Sequence, residues 1–382
     1  MANVPRQRGI SMSKPKVESG LNIPENYLVT PAYVFFLIHA MQIGVGILGF
    51  EQFLVEKAGY DAWIALLVAG GILHVILWMI YRLLQNGGGD IVEIHRKVFG
   101  KYLGGLLSMI FCAYFLLLTF TVIVTFIEVI RVWMFPSLHV WVFAFILILL
   151  VYYLVTGGFR VITGVCLISV AIGLPLLLLK FFPVQAGHTM TIYPGISHSF
   201  TDIMGATKAS VLSFLGLEFL LIYYPFIKNA EKSKKWAHMG VFYTTMIYLI
   251  SMIVTSVYFS EAQLRQVTWG TISAWKIVEF PFIERFEYVG IAMWLYVILP
   301  NVCLGLWGAT RIPKRVFKIK QKYVLLAFCF VLFLGSGLTG GRAFINTLNN
   351  FSSQVGMYIL LYVPVLLVLK TISDKVRKRN EQ

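Results

Sequence analysis

The chain has 382 residues, of which 58% are hydrophobic and 13% charged, with a net charge of +15 and a mean hydropathy of +0.79. Soluble domains are about half apolar and about a quarter charged, so this composition excludes an ordinary soluble enzyme. The apolar residues form uninterrupted blocks, each long enough to cross roughly 30 Å of hydrocarbon as a helix. Helices are required because each block must satisfy its own backbone hydrogen bonds in lipid.

Ten such blocks predict ten transmembrane helices, spans 1 to 10, in an all-α integral membrane protein. They lie near residues 31–57, 62–84, 104–134, 140–156, 163–182, 203–227, 237–259, 286–308, 323–339 and 356–372. Residues 1–27 are polar and basic without an apolar h-region, and are interpreted as a cytoplasmic tail. A transmembrane domain at 28–372 and a C-terminal tail at 373–382 complete the predicted organisation.

The basic residues are distributed unevenly between the two sides of the membrane. With the N-terminus inside, 24 of the 32 Lys and Arg residues fall on the inner side. This asymmetry follows the positive-inside rule and predicts that both termini are cytoplasmic. Because topology accounts for the positive charge, we expect a lipid membrane and not nucleic acid as its partner.

The connecting segments and the cysteines have simple interpretations. Alternating charged and apolar residues from Asp90 to Lys101 predict an amphipathic helix on the inner surface. Residues 183–202 are predicted to form an outer loop, and residues 260–285 short interfacial helices on the outside. The cysteines lie inside apolar blocks without metal-ligand spacing and are interpreted as buried free thiols; no metal site, cofactor or catalytic residue is predicted.

Two spans contain glycine interruptions, and these carry the functional prediction. Span 1 contains Gly44-Val45-Gly46-Ile47-Leu48-Gly49, and span 6 contains Ser213-Phe214-Leu215-Gly216-Leu217-Glu218. With ten spans, these two open two five-helix halves, near 31–182 and 203–372. Interrupted segments at corresponding positions of two halves point to a transporter-type binding site. Alternatively, such glycines allow close packing between membrane helices.

A helix break suits the binding of a zwitterionic amino acid. Glycine lets the backbone leave helical geometry and lets a ligand approach it closely. The break exposes N–H groups with partial positive charge and C=O groups with partial negative charge. We expect the ligand carboxylate to bind N–H groups near Val45 to Ile47. Its ammonium group is expected on the carbonyls before Gly44 and before Gly216.

These motifs resemble the amino acid–polyamine–organocation superfamily, and more closely the B subunits of spore germinant receptors, the endospore germination permeases. That family's Ser-Phe-Leu-Gly-x-Glu run in helix 6 stands here at 213–218, and its Phe-Ile-Glu-Arg-Phe-Glu run before helix 8 stands at 282–287. Family members often carry a proline shortly after the helix 1 glycines, where this chain has Gly49-Phe50-Glu51. The resemblance covers residues 30–372.

The resemblance implies two inverted five-helix repeats with broken helices 1 and 6. It also implies a ligand site between helices 1, 3, 6 and 8, in a receptor of the spore inner membrane. The implied partners are an A subunit and a lipoprotein C subunit.

Polar residues within spans 3 and 8 supply further candidates for the site. Tyr114, Leu118 and Thr121 share one face of span 3 near mid-membrane, and form either the pocket wall or an ordinary packing surface. Pro300 frees the carbonyl of Tyr296, and Asn301 is placed either to contact ligand or to bind that carbonyl. The predicted ligand-binding residues are Gly44, Val45, Gly46, Tyr114, Leu118, Phe214, Gly216 and Asn301.

Glu218 is the most conspicuous charge within a span. Intramembrane ionisable residues are costly and usually functional, so we expect a gating or proton-coupling role for it. The alternative is a structural carboxylate at the N-terminus of the second half of helix 6.

Other ionisable residues are expected to form pairs or relays. Glu128 and Arg131 are spaced to pair on span 3. Glu284, Arg285 and Glu287 are expected to form an ion-pair cluster at the start of span 8. His39 is a candidate proton relay in the first half of helix 1.

The favoured function is the membrane-embedded, ligand-binding subunit of a spore germinant receptor that senses an amino acid or similar small nutrient. A proton-coupled amino acid transporter would share the fold and is the alternative. A membrane enzyme would require a His or carboxylate cluster, and the spans contain neither a His-x-x-x-Asp motif nor paired carboxylates.

The topology can be tested with single cysteines placed at Ile10, Glu231, Lys378 and Met190. The first three are expected to react with membrane-impermeant reagents only from the cytoplasmic side, because the basic asymmetry places them there. Met190 is expected to react only from the opposite side. External labelling at Glu231 would contradict the ten-span topology.

Overall fold

The computed structural model describes residues 23–85, 89–187, 196–281, 284–338 and 340–380. Within these ranges the chain is almost entirely helical, apart from a parallel bridge between Val29 and Ile227. The helices of the first half are α1 (Tyr33–Gln42), α2 (Glu51–Ala58), α3 (Ala62–Gln85), α4 (Ile91–Trp133), α5 (Val140–Thr156), α6 (Phe159–Leu178) and α7 (Phe181–Ala186). Those of the second half are α8 (Phe200–Ala209), α9 (Val211–Phe214), α10 (Leu220–Tyr223), α11 (Lys234–Tyr258), α12 (Glu261–Gln266), α13 (Gly270–Trp275), α14 (Phe286–Phe317), α15 (Gln321–Gly337) and α16 (Arg342–Asn380).

These helices form the membrane-spanning elements that hydropathy predicts. In the described part of the chain, six helical segments are long and apolar enough to cross a membrane, and the bent pair from Phe200 to Phe226 makes a seventh. The shorter apolar helices α1, α5 and α15 account for the other predicted spans. The chain is therefore an all-α, multi-pass membrane protein.

Two helices extend well beyond their predicted spans. Span 8 was expected to end at 308 but α14 continues to Phe317, and span 10 was expected to begin at 356 but α16 begins at Arg342. In both places polar or basic residues lower the hydropathy without interrupting helical geometry. Hydropathy locates the apolar part of a helix and not its ends.

Packing between the two halves follows the order of the spans. Helices in corresponding positions lie against each other: α3 against α11, α4 against α14 and α5 against α15. Such pairing is what a two-fold relation between the halves produces, and it agrees with the predicted inverted repeats. Because α14 also packs against α1 and α6, it lies in the middle of the bundle.

The segment before span 3 is a separate short helix, as predicted. Gly100 has a positive φ of 79°, which breaks α4 into a piece at 91–99 and the long spanning helix. The buried Asp90 caps the first piece by accepting from the N–H of Glu93, and its carboxylate pairs with Arg315 at 2.9 Å. This pair ties the short helix to the end of α14.

The other connecting segments and the cysteines agree with expectation where they are described. Residues 260–285 contain the short helices α12 and α13. All four cysteines are buried free thiols. Most of the predicted tail lies outside the described residues, as do 188–195 of the predicted outer loop and Phe282 and Ile283 of the second motif. In the described part of that loop, 183–186 belong to α7 and 200–202 to α8.

Candidate ligand-binding site

The first break, residues 43–50, separates α1 from α2. A single 3-10 turn, Val45–Leu48, lies between the two helices. The N–H groups at the start of this turn have no partner within the turn itself. Gly44 is extended, and its need for glycine comes from close approach: a Cβ there would lie 3.3 Å from Oδ1 of Asn301.

The second break, residues 215–219, separates α9 from α10. Gly216 has a φ of 127°, a conformation that strongly favours glycine. A Cβ at this position would lie 2.8 Å from the Cβ of Met41 in α1. The two breaks therefore contact each other, and the contact leaves no room for a side chain at residue 216.

Glu218 binds the backbone of the second break. Its fully buried carboxylate accepts from the N–H of Gly216 at 2.9 Å and from the hydroxyl of Tyr114 at 2.6 Å. These bonds match the structural alternative for Glu218, and they link the break to α4. The gating or coupling role of Glu218 stays a prediction.

A cavity of about 200 Å³ lies between the two breaks and the neighbouring helices. Drug-sized ligands occupy pockets of about 300–1,000 Å³, so this volume suits a small nutrient. Its walls come from both breaks, α4, α14, α16, Tyr248 of α11 and the segment before α13. The lining residues include Gln42, Gly44, Val45, Gly46, Leu118, Ser213, Tyr248, Trp269, Asn301, Arg342 and Asn350.

Five of the eight predicted binding residues line this cavity. They are Gly44, Val45, Gly46, Leu118 and Asn301. The other three lie behind the wall. Tyr114 bonds to Glu218, Phe214 packs against Tyr248 with ring centroids 4.8 Å apart, and Gly216 packs on Met41.

Two buried side-chain amides face the cavity, and sequence reasoning identified only one of them. Asn301 donates Nδ2–H to the carbonyls of Ala40 and Met41, at 2.8 and 2.9 Å, and not to the carbonyl of Tyr296. Gln42 donates Nε2–H to the carbonyl of Phe214 at 3.0 Å. Oδ1 of Asn301 and Oε1 of Gln42 have no hydrogen-bond partner among the described residues. A polar residue two positions before Gly44 was the signal for Gln42.

Arg342 is the second cavity-lining candidate that sequence reasoning missed. Its guanidinium lies 4.7 Å from the ring centroid of Trp269, and Nη1 has no hydrogen-bond partner among the described residues. It interacts electrostatically with Glu128. Because span 10 was predicted to begin at 356, Arg342 was assigned to a loop and not to the cavity.

Two of the predicted charge interactions need correction. Within the described ranges, Glu128 and Arg131 form no ion pair, and the nearly buried Glu128 interacts electrostatically with Arg342. Arg285 pairs with Glu287 at 3.0 Å, and Glu284 is outside this pair.

His39, the candidate proton relay, lies away from the main cavity. Its Nδ1–H donates to the hydroxyl of Thr244 at 2.9 Å, since that hydroxyl itself donates to the carbonyl of Gly240. The ring lines a separate cavity of about 40 Å³. The relay role stays a prediction.

Alanine at Gly216 is expected to lower the thermal unfolding temperature, Tm, of the purified protein. A non-glycine residue at this φ costs about 1–3 kcal/mol before the contact with Met41 is counted. Gly46→Ala is the matched control, because its Cβ would make an ordinary contact, 3.4 Å from Oγ of Ser213. Tryptophan fluorescence in detergent gives both Tm values, and equal values would contradict the described contact between the breaks.

Comparison with known proteins supports the membrane fold and identifies a family. The family described as spore germination protein matches residues 28–343. Spore germination protein GerQB of Bacillus cereus is 45% identical over 357 residues, covering 93% of this chain and 99% of that protein. Spore germination protein YndE of Bacillus subtilis (strain 168) is 24% identical, covering 93% of this chain and 98% of that protein.

Solved structures of transporters share the fold at low sequence identity. MhsT in complex with L-phenylalanine has a TM-score of 0.60 at 12% identity, over 90% of this chain and 88% of that one. A Na⁺-coupled sialic acid symporter has a TM-score of 0.63 at 12% identity, over 90% of this chain and 78% of that one. The fold, with its broken helices, is therefore shared with these transporters. The sequence match spans both breaks and most of the bundle, and the chain belongs to the spore germination permease family.

Proposed function

We propose that this chain is the nutrient-binding subunit of a spore germinant receptor, and that it binds an amino acid or similar small nutrient in the cavity between the breaks. The observation that carries the proposal is the cavity itself, because broken helices at the midplane supply backbone and side-chain groups to a polar ligand. Family membership supports the role in germination. The complex of MhsT with L-phenylalanine supports an amino acid as a ligand class for this fold.

The polar groups of the cavity match a zwitterion. The unpartnered Oδ1 of Asn301 and Oε1 of Gln42 are acceptors for an ammonium group. Nη1 of Arg342 and the N–H groups at the start of the Val45 turn are donors for a carboxylate. The hydrophobic side chain of the ligand would lie against Leu118 of the cavity wall.

Location and partners follow from the same proposal. The protein would reside in the spore inner membrane with both termini cytoplasmic, and would act with an A subunit and a lipoprotein C subunit. A proton-coupled amino acid transporter remains the alternative, because the fold is shared with transporters.

The ligand can be found by thermal stabilisation of the purified protein. We expect one or more of the twenty L-amino acids, tested beside a set of sugars and nucleosides, to raise Tm by several degrees at saturation. A ligand at about 100 times its Kd stabilises the folded state by about 2.7 kcal/mol. Gly46→Val is expected to abolish the shift, because its methyl groups would occupy the cavity.

The control for this variant is Gly164→Val, in α6. A Cβ at Gly164 meets no atom within 4 Å, and the residue does not line the cavity. It should retain the full ligand shift. If no compound of the panel stabilises the wild type, or if Gly46→Val responds normally, the cavity is not the nutrient site.

A transport assay distinguishes the receptor subunit from the alternative, a proton-coupled amino acid transporter. The chain alone, reconstituted in liposomes with a proton gradient, is expected not to accumulate the stabilising nutrient, since its proposed output passes through partner subunits. An established amino acid transporter reconstituted in parallel provides the control. Uphill uptake by the chain alone would favour the transporter.

A further inference from the structure

The carbonyl groups at the end of α1 are all bound by the protein. A helix leaves its last four carbonyls without intrahelical partners. In α1, the carbonyl of His39 accepts from the N–H of Ile43 at 2.9 Å, and those of Ala40 and Met41 accept from Asn301. The carbonyl of Gln42 accepts from the hydroxyl of Tyr248 at 3.2 Å. Each of the last four carbonyls of this half-helix therefore has a protein donor.

Side-chain donors also bind a carbonyl beside the second break and one inside the first break. Phe214, the last residue of α9, has its carbonyl bound by the side chain of Gln42. The carbonyl of Gly44, inside the first break, accepts from Nε1–H of Trp294 at 3.2 Å. Side-chain donors thus bind carbonyls of both broken helices. The expected direct contact between a ligand ammonium and the carbonyls before Gly44 and Gly216 stays a prediction.

Carbonyls in this position have a known use in transporters with broken helices. Unwound backbone and the C-terminal ends of half-helices coordinate Na⁺ or respond to H⁺ at the midplane. A cation there neutralises the negative ends of dipoles and holds the half-helix to its neighbours. In this chain the amide of Asn301, on the central helix α14, binds the carbonyls of Ala40 and Met41 and so connects α1 to α14.

We propose that the Asn301 carboxamide takes the place of a bound metal cation between α1 and α14, so that the nutrient site is assembled without Na⁺ or K⁺. Its two N–H donors bridge the carbonyls of Ala40 and Met41, which fixes the orientation of the amide. Oδ1 then faces Gly44, where a Cβ would lie 3.3 Å away. One side chain thus closes the end of α1 and leaves an acceptor beside the cavity.

The burial of Asn301 supports this assignment. Its side chain is buried, with 4% of its surface exposed, so both bonds are sheltered from water. A buried carbonyl without a donor is costly, and a neutral amide satisfies two of them without the desolvation cost of an ion. The inference extends the proposed nutrient site but depends only on the break itself, since it concerns the protein before nutrient binds.

The test compares Tm of the full-length protein, without nutrient, in NaCl, KCl and N-methyl-D-glucamine chloride at equal ionic strength. We expect the same Tm in all three salts for the wild type. A Tm several degrees higher in Na⁺ or K⁺ than in N-methyl-D-glucamine would overturn the proposal. This comparison needs no variant and is unaffected if the proposed nutrient role fails, which the nutrient panel reports separately.

Asn301→Asp tests the bridging role directly. The variant places a carboxylate beside two carbonyl oxygens, which is the oxygen-rich environment that a hard cation prefers. At mildly alkaline pH, which favours the ionised carboxylate, its Tm is expected to rise by several degrees in Na⁺ relative to N-methyl-D-glucamine.

Asn350→Asp is the matched control, because it adds the same charge to the same cavity and, within the described residues, its side chain makes no hydrogen bond to α1. It should show no such preference. An Asn301→Asp variant that folds and has equal Tm in every salt would contradict the proposal.

Discussion

Backbone groups exposed where a membrane helix breaks must be satisfied inside the bundle, and the rest of this site follows from how the protein does so. Lipid offers no hydrogen bonds, so each bare carbonyl or N–H would cost free energy. At the first break, Asn301 and Tyr248 bind the last carbonyls of α1. At the second, Glu218 binds the N–H of Gly216. Side chains from α4, α11 and α14 are thereby held against the breaks, and the cavity forms between them.

The contact between the breaks also makes one half of the molecule sensitive to the other. Gly216 packs on Met41 without room for a Cβ, and Gln42 binds the carbonyl of Phe214 across the same junction. A displacement of α1 would therefore disturb the second break. Glu218 extends this connection to Tyr114 on α4. A conformational switch requires elements with discrete packed arrangements, and in such a change these contacts would break together.

The sequence predicted the positions of the spans, because a helix that crosses lipid needs a long apolar stretch. It also predicted both breaks, because glycine residues interrupt two of these stretches. It could not predict hydrogen-bond partners on other helices, because these depend on how each helix is rotated about its own axis in the bundle. Asn301 was recognised as a buried amide, but its partners belong to α1, about 260 residues away in the chain. Arg342 was missed because polar residues facing a cavity lower hydropathy although the helix continues. The pairing of Glu128 with Arg131 was wrong because local spacing ignores which face is buried.

A binding site of this kind can transmit a signal only through differential affinity for two arrangements of the bundle. The ligand groups proposed here lie on both sides of the junction between the two halves: Gln42 belongs to α1, whereas Arg342 begins α16 and Asn301 belongs to α14. A zwitterion that spans them gains both sets of contacts only when the distance between α1 and these helices fits its length. The ammonium would join Gln42 of α1 to Asn301 of α14, and the carboxylate would join the first break to Arg342 of α16. A ligand that lacked either group would therefore hold the two sides together with fewer contacts.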